Sequence, residues 1–195
     1  MTNRFRLPRP IPNPFPPSGA NSLGSDWLID EDGYPGRQAA RIILFDSHDR
    51  ILLISGHDFS DASHRWWFTP GGGIKAGENP QVAALRELKE ETGIELNITQ
   101  VTGPVLYRES LLKFHSLWAI QAEQYFLARL EQDTPPANAS GWTLSEKQLL
   151  DELSWIPVSE LASLNQQQTI YPTKLADFAS KWLAGWDGIV HTLYD

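Results

Sequence analysis

The amino-acid sequence predicts a mixed α/β sandwich. Apolar, β-branched segments lie both before and after one central helical segment, and further helical segments follow near the end of the chain. This order is typical of a sheet that packs against helices. The chain has 195 residues, which suits one domain with a sizeable core.

The predicted strands begin with a hairpin. Segments 41–45 and 50–54 are rich in Ile and Leu and flank the turn sequence Asp-Ser-His-Asp. A short aromatic strand at 66–69 stops at Pro70, and three glycines at 71–73 predict a glycine-rich loop. Further strands are predicted at 98–107 and 117–130, followed by a last strand at 153–156.

The central helix has clear end signals. Asn79 is a good N-cap, Pro80 suits the first helical position, and Gly93 is a natural C-terminal stop. Shorter helical segments are predicted at 144–153, 157–164 and 174–186. The apolar face of segment 174–186 either packs on the domain or lines an interface.

Composition and charge exclude several classes of protein. The formal net charge is −8, from 16 Lys and Arg against 24 Asp and Glu, which argues against a general nucleic-acid binder. The absence of cysteine excludes disulfides, zinc–thiolate sites and cysteine nucleophiles. No apolar run approaches the roughly 18 residues of a membrane span, and no secretory signal follows the N-terminus. We therefore expect a cytoplasmic protein that does not bind membranes.

Residues 1–24 differ in composition from the rest of the chain. Six of the ten residues from position 8 to position 17 are proline, which favours polyproline II and forbids a helix. We expect a flexible extension, with a docking arm for a partner or a second subunit as the alternative. Residues 25–195 then form the single domain.

The central helix carries a concentration of acids. On a helical wheel of about 100° per residue, Glu87, Glu90 and Glu91 share an arc of roughly 100°, opposite an apolar face. Such neighbours repel one another by a few tenths of a kcal/mol each. A solvated acidic face and a metal site both fit this pattern. Carboxylate oxygens suit Mg²⁺ or Mn²⁺, and the glycine-rich segment ahead would add backbone groups.

The stretch 72–94 resembles the Nudix box, G-x5-E-x7-R-E-U-x-E-E-x-G-U, in which U is aliphatic. The residues that match its constrained positions are Gly72, Glu78, Arg86, Glu87, Leu88, Glu90, Glu91, Gly93 and Ile94. A chance match in a chain of this length has a probability of about one in ten million. The strand pattern over 37–164 also resembles a Nudix domain.

The resemblance implies a fold and an activity. The fold would be an α/β/α sandwich with a mixed β-sheet. The activity would be hydrolysis of a nucleoside diphosphate linked to another moiety, with Mg²⁺, or Mn²⁺ as its substitute, activating the attacking water. The resemblance also allows a homodimer.

The resemblance implies roles for individual residues. Three carboxylates and one backbone carbonyl would hold the metal, from Glu87, Glu90, Glu91 and Gly71. Glu87 and Glu90 would also take part in catalysis. Arg86 would orient one of these glutamates, and Glu78 would be either structural or an outer ligand.

The general base lies outside the box in some family members. Glu146, just after the polar loop 131–141, is the candidate, and a helix-start acid is an equal alternative for it. Glu123, on the strand before that loop, is a second candidate.

An acidic protein needs local cations to bind a phosphorylated substrate. Arg41, Arg65 and Arg108 lie at or near predicted strand ends and are candidates for substrate binding, with solvated surface positions as the alternative. The proline typical of ADP-ribose pyrophosphatases and the tyrosine of dinucleoside polyphosphate hydrolases are both absent from their usual places. The substrate therefore stays open.

Two other functions compete with hydrolysis. Isopentenyl diphosphate isomerases share the fold but use an active-site cysteine, which this chain lacks. A catalytically silent nucleotide-binding or regulatory module usually has an eroded box, whereas every acid is present here. Hydrolysis is the leading hypothesis.

Overall fold

The computed structural model describes residues 26–58, 61–113, 118–131, 138–139, 141–142 and 146–195. The predicted N-terminal extension, residues 1–24, lies outside the described residues. Within the described part, no helix has both the length and the apolarity needed to cross a membrane.

Within the described residues, the fold consists of one mixed sheet and three α-helices. The strands are β1 Leu28–Ile29, β2 Pro35–Phe45, β3 Arg50–Asp58, β4 Asp61–Phe68, β5 Gly71–Gly73, β6 Val101–Lys113, β7 Trp118–Arg129, β8 Leu150–Pro157, β9 Thr169–Tyr171 and β10 His191–Tyr194. The helices are α1 Pro80–Thr92, α2 Leu161–Gln167 and α3 Leu175–Trp182. Single 3₁₀ turns lie at Ile98–Gln100, Glu146–Gln148 and Val158–Glu160.

The sheet runs in the order β10-β6-β7-β2-β3-β4-β9, with β1 and β5 also paired to β2 and β8 paired to β3. The central pair, β2 and β7, is parallel, whereas β6 and β7 are antiparallel. The predicted mixed sheet is therefore confirmed. Strand β2 lies at the junction, because β7 pairs along one side of it and β5 and β3 pair along the other.

Helices cover both faces of this sheet. Side chains alternate along a strand, so neighbouring residues of β2 enter different cores. Ile42 packs in the cluster that contains Leu88 of α1. Ile43 packs in the cluster that contains Phe178 of α3 and Leu161 of α2. The predicted α/β/α sandwich is confirmed.

Helix α1 begins and ends where its sequence predicts. The Asn79 side chain accepts a hydrogen bond from the Gln81 N–H at 2.9 Å, and Pro80 occupies the first turn. Gly93 has a φ of 74°, and its N–H donates to the Lys89 carbonyl at 2.9 Å. The prediction of this helix is confirmed at both ends.

The predicted hairpin closes as expected at its turn. The Asp46 N–H donates to the Arg50 carbonyl at 2.9 Å, and Phe45 lies opposite Ile51. Beyond this point β2 pairs with β5 and β7, and β3 pairs with β4 and β8.

Two local predictions are wrong. Residues 71–73 form strand β5, antiparallel to residues 39–41, rather than a loop. In the described part of the helix predicted at 144–153, from residue 146 onward, the structure has the 3₁₀ turn Glu146–Gln148 and then a strand, because Leu150–Pro157 pairs with β3 along seven register positions. In both cases long-range strand pairing overrides local propensity.

The end of the chain also differs from the prediction. The strand predicted as the last one is followed by β9 and β10, which are three and four residues long and too short for a periodic signal. The helix predicted at 174–186 ends at Trp182, and its apolar face packs on the domain through Leu175, Phe178 and Trp182.

Candidate active site

An open cleft of about 580 Å³ lies where β5 passes between β2 and α1. Its charged lining includes two residues of β2 and four of α1: Arg37, Arg41, Arg86, Glu87, Glu90 and Glu91. A larger hollow of about 1040 Å³, around Trp182 and Trp186, contains none of the predicted site residues. The cleft at β5 is therefore the candidate active site.

Arg86 is the central side chain on the α1 side of the cleft. Its Nε and Nη2 donate to the two carboxylate oxygens of Glu78, each at 2.9 Å, and Nη2 also donates to the Gly73 carbonyl at 2.9 Å. Its Nη1 lies 2.5 Å from Glu87 Oε1 and 3.2 Å from Glu90 Oε2. The predicted pairing of Arg86 with glutamates of the helix is present.

Glu78 connects Arg86 to the turn before α1. Besides the two bonds from Arg86, its Oε2 accepts the N–H of Lys75 at 2.9 Å, which closes the turn before α1. The hydrogen bonds from Arg86 lower the pKa of Glu78 to about 2, with the Lys75 N–H adding to the effect and burial opposing it. Glu78 is therefore ionised and anchored to the start of the helix.

The three predicted metal-binding carboxylates differ in exposure. Glu91 is buried, and its Oε2 accepts the Gly71 N–H at 2.7 Å, which joins α1 to β5. The Glu87 side chain is 14% exposed, and the Glu90 side chain is 53% exposed. The cleft therefore presents a graded set of acids, from the anchored Glu91 to the accessible Glu90.

The glycines of β5 allow two carboxylates to approach the strand backbone closely. A Cβ on Gly72 would lie 2.6 Å from Glu87 Oε2, and a Cβ on Gly73 would lie 2.7 Å from Asp26 Oδ2. No side chain larger than hydrogen fits at either position without displacing a carboxylate. The glycine run therefore serves close packing within a strand.

The donor set fits a hard divalent cation in its chemistry. It consists of carboxylate oxygens from one helix, facing a cleft that solvent can enter, as Mg²⁺ prefers. Among the described residues, no three His, Asp or Glu side chains are already grouped as ligands. Arg86 Nη1 contacts both Glu87 and Glu90, and the Gly71 N–H holds Glu91. Each contact with Arg86 engages one oxygen of the carboxylate, so Glu87 and Glu90 need not leave Arg86 to bind an ion through the other oxygen.

The Gly71 carbonyl, the fourth predicted ligand, accepts a hydrogen bond from Arg41 Nη1 at 3.1 Å. A carbonyl oxygen has two lone pairs, so this bond leaves one acceptor position for a further ligand.

Comparison with known proteins places these residues in a family. Residues 35–177 match the model of the NUDIX domain. This chain belongs to the Nudix family.

Nudix relatives match over most of the chain. It is 31% identical over 160 residues to Nudix hydrolase 26, chloroplastic, of Arabidopsis thaliana, covering 76% of this chain and 71% of that protein. It is 30% identical over 162 residues to the RNA pyrophosphohydrolase of Vibrio cholerae, covering 78% and 89%. The fold is similar to that of the MutT protein of Bacillus halodurans, with a TM-score of 0.53, 20% identity and coverage of 81% and 89%. The chain is a Nudix pyrophosphohydrolase.

The structure brings only one of the three predicted substrate-binding arginines to the lining of this Nudix cleft. Arg41 lines it. Arg65 is half-exposed and pairs with Asp151 at 3.3 Å. Arg108 is buried and pairs with Glu123 at 2.5 Å and with Asp195. The spacing of strand ends along the sequence does not show which ends meet at one cleft.

Arg37 is a cleft residue that the sequence reasoning missed. It lies four residues before Arg41 on β2, and an even spacing along a strand places both side chains on one face. This signal was present in the sequence, but the predicted strand began only at residue 41.

The two candidates for a base outside the Nudix box have different outcomes. Glu146 begins the 3₁₀ turn Glu146–Gln148, and its side chain lies outside the described part of the structure. Glu123 is 1% exposed and accepts hydrogen bonds from Arg41, Arg108, Gln121 and Tyr125. Burial works against its charge, but the two arginines outweigh it and lower the pKa of Glu123 below its usual value. Glu123 therefore does not meet the requirements of a general base.

Proposed function

We propose that this Nudix hydrolase uses Mg²⁺, or Mn²⁺ as a substitute, to hydrolyse the diphosphate linkage of a nucleoside diphosphate joined to another moiety. The observation that carries the proposal is the convergence of Glu87, Glu90 and Glu91 on one cleft. The convergence is produced by the helical spacing of these residues and by the close approach of β5 to α1.

In this proposal Glu87, Glu90, Glu91 and the Gly71 carbonyl hold the metal. A divalent ion bound there neutralises diphosphate charge and lowers the pKa of a bound water. Arg86, itself anchored on Glu78, would orient Glu87 and Glu90 toward the ion through its contacts with one oxygen of each.

A carboxylate must accept the proton of the attacking water. The exposure of Glu90 supports it as this acceptor, since 53% of its side chain is open to solvent and it lines the cleft. Glu87 is the alternative within the box, and Glu146 is the alternative outside it. Glu146 lies four residues before Leu150, which lines the cleft.

The substrate side of the site is proposed to involve Arg41, together with Arg37. Both residues line the cleft on β2, whereas Arg65 and Arg108 do not line it and pair with Asp151 and Glu123. A phosphate group of the substrate would bind to these two arginines.

We propose that residues 25–195 form one domain, that it acts in the cytoplasm and that it forms a homodimer. The NUDIX match over residues 35–177 supports the first of these.

The experiment that tests the function is a hydrolysis panel with the full chain. It includes nucleoside triphosphates, ADP-ribose, nucleotide sugars, dinucleoside polyphosphates and, because of the Vibrio cholerae relative, an RNA with a 5′-triphosphate. Phosphate or pyrophosphate release is followed with Mg²⁺, with Mn²⁺ and with EDTA.

We expect one substrate class to be cleaved, with activity lost in EDTA and in Glu91→Gln. Glutamine at position 91 can still accept the Gly71 N–H, so the fold is retained. Cleavage that persists in EDTA would contradict the proposed metal dependence. No cleavage of any substrate, together with nucleotide-induced thermal stabilisation, would support the silent binding module instead.

A further inference from the structure

Glu123 is surrounded by hydrogen-bond donors in the middle of the sheet. Its Oε1 accepts from Arg41 Nε and from Gln121 Nε2, the latter at 2.7 Å. Its Oε2 accepts from Arg108 Nη1 at 2.5 Å and from the Tyr125 hydroxyl at 2.9 Å. Both oxygens are therefore fully engaged, and the carboxylate cannot act on a substrate directly.

The strand register places Glu123 between the two cleft arginines. Across the β2–β7 pair, Arg37 lies opposite Gln121, Ala39 opposite Glu123 and Arg41 opposite Tyr125. Glu123 is therefore paired with Ala39, midway between the two arginines along β2. One acid is thus in a position to influence both.

Gln121 connects Glu123 to Arg37. Its amide nitrogen donates to Glu123, and its amide oxygen accepts from Arg37 Nε at 2.6 Å. An amide can face either way, and the carboxylate acceptor fixes which way this one faces. Glu123 therefore orders Arg41 directly and Arg37 through Gln121.

Each cleft arginine is anchored through Nε and Nη1. Arg41 uses Nε for Glu123 and Nη1 for the carbonyls of Thr69 and Gly71, at 2.9 and 3.1 Å, and its side chain remains 12% exposed. Arg37 uses Nε for Gln121, stacks over the Trp27 ring at 4.5 Å and has a 3.4 Å contact with Asp26. Within the described residues, neither Nη2 donates a hydrogen bond to the protein.

We infer that Glu123 is a positioning residue that builds an anion-binding wall from Arg37 and Arg41, across β5 from the acids of α1. The anion is a phosphate group of the substrate, so the inference rests on the proposed function. A guanidinium already held by its Nε loses little freedom when it binds a phosphate. Glu123 contributes to substrate affinity without touching the substrate.

The test measures binding of inorganic pyrophosphate to the full chain in EDTA, where binding is separated from hydrolysis. Titration calorimetry compares the wild type with Arg41→Lys, Glu123→Gln and the double variant. We expect about tenfold weaker binding in each single variant. In the double variant we expect a loss well below about a hundredfold, the product of two independent effects, because Glu123 acts through Arg41.

Kinetics supply a second measurement for any substrate that the wild type hydrolyses. In Glu123→Gln we expect KM to rise about tenfold and kcat to change less than about threefold, as for lost substrate binding.

Arg129→Lys is the matched control for Arg41→Lys in the binding experiment. Arg129 also donates to two carbonyls, those of Asp46 and Leu183, but it does not line the cleft. Pyrophosphate binding by this control should stay within about twofold of the wild type.

Gln121→Met keeps the proposal testable if Glu123→Gln does not fold. It leaves the ion pairs of Glu123 with Arg41 and Arg108 in place and removes the hydrogen bonds of Gln121 to Glu123 and to Arg37. We expect about threefold weaker pyrophosphate binding. The inference is overturned by wild-type binding in a folded Glu123→Gln variant, or by wild-type binding in both Gln121→Met and Arg41→Lys. A loss of pyrophosphate binding of about a hundredfold in the double variant, the product of the two single losses, overturns it as well.

The two proposals fail in different ways. A wild type that hydrolyses a substrate but does not bind pyrophosphate contradicts the anion-binding wall alone. A wild type that binds pyrophosphate with the expected variant effects but hydrolyses nothing contradicts the proposed function alone.

Discussion

Two carboxylates of this Nudix hydrolase, Glu90 and Glu123, carry the same charge in opposite surroundings. The Glu90 side chain on α1 is 53% exposed and has a 3.2 Å contact with Arg86. Glu123 in β7 is 1% exposed and accepts hydrogen bonds from four side chains. Glu90 can exchange its partner for an incoming ligand, whereas Glu123 cannot do so without leaving buried guanidinium groups unpaired.

The comparison shows what separates an acid that can do chemistry from one that organises a site. Residue type and charge are equal, so the difference comes from burial and from the number of donors around each carboxylate. Both acids serve one cleft: Glu90 lines it, and Glu123 holds Arg41, which also lines it. Three experiments sharpen or break this division of roles.

The largest expected effect concerns the exposed acid. Glu90→Gln should lower kcat by about a thousandfold at saturating Mg²⁺, because a neutral amide is a poor metal ligand and cannot accept a proton. The thermal midpoint should change little, since the side chain is half in solvent. Steady-state kinetics and thermal unfolding measure the two quantities.

Glu95→Gln is the control for that variant. Glu95 is an exposed glutamate just after α1 that pairs with Lys89 at 3.0 Å and does not line the cleft. Near-normal turnover by Glu90→Gln would show that Glu90 is neither a metal ligand nor the base.

The next effect concerns the buried acid and appears in stability. Glu123→Leu should lower the free energy of unfolding by about 3–5 kcal/mol, because it leaves Arg41 and Arg108 buried without their shared counter-charge. Urea unfolding measures this difference. Glu152→Leu places the same substitution at an exposed position of β8 and should stay within about 0.5 kcal/mol of the wild type. Equal losses of unfolding free energy in the two variants would show that the hydrogen bonds and ion pairs of Glu123 do not stabilise the fold.

The smallest effect is the pH dependence of stability that comes from a third acid, Glu78, which anchors Arg86. Its pKa is about 2 in the folded protein, against a usual value of 4.5. Because the folded value is the lower one, the stabilisation is complete above pH 4.5 and is lost as the pH falls through 2. In Glu78→Gln, the decline of the thermal midpoint between these two pH values should therefore be shallower.

The control for the pH experiment is again Glu95→Gln, which should keep the wild-type slope. An unchanged slope in Glu78→Gln would show that the bonds between Glu78 and Arg86 do not shift the titration. Glu123 is also held below its usual pKa, so part of the acid sensitivity should remain in every one of these variants.

Much of the site could be predicted from the sequence because its signals are local. The ends of α1 follow from Asn79, Pro80 and Gly93, each acting within one turn of the helix. The shared face of the box glutamates follows from helical spacing, and the match to the Nudix box follows from residue order. None of these features depends on a distant part of the chain.

The rest depends on contacts between residues far apart in sequence. Segment 71–73 becomes a strand because β2 offers it an edge, and segment 150–157 becomes a strand because it pairs with β3. Local propensity favours a loop for the first and a helix for part of the second. Pairing with a distant strand outweighs that preference.

The sequence by itself determined the family, the acidic face of helix α1 and the α/β/α sandwich. Only the tertiary structure decided that Arg41 lines the cleft while Arg65 and Arg108 do not, and that Glu123 binds two arginines. Arg41 and Glu123 are 82 positions apart, and the register of β2 against β7 brings them together. Helical spacing is a property of consecutive residues, but strand register is set when separate segments bury their side chains in a common core.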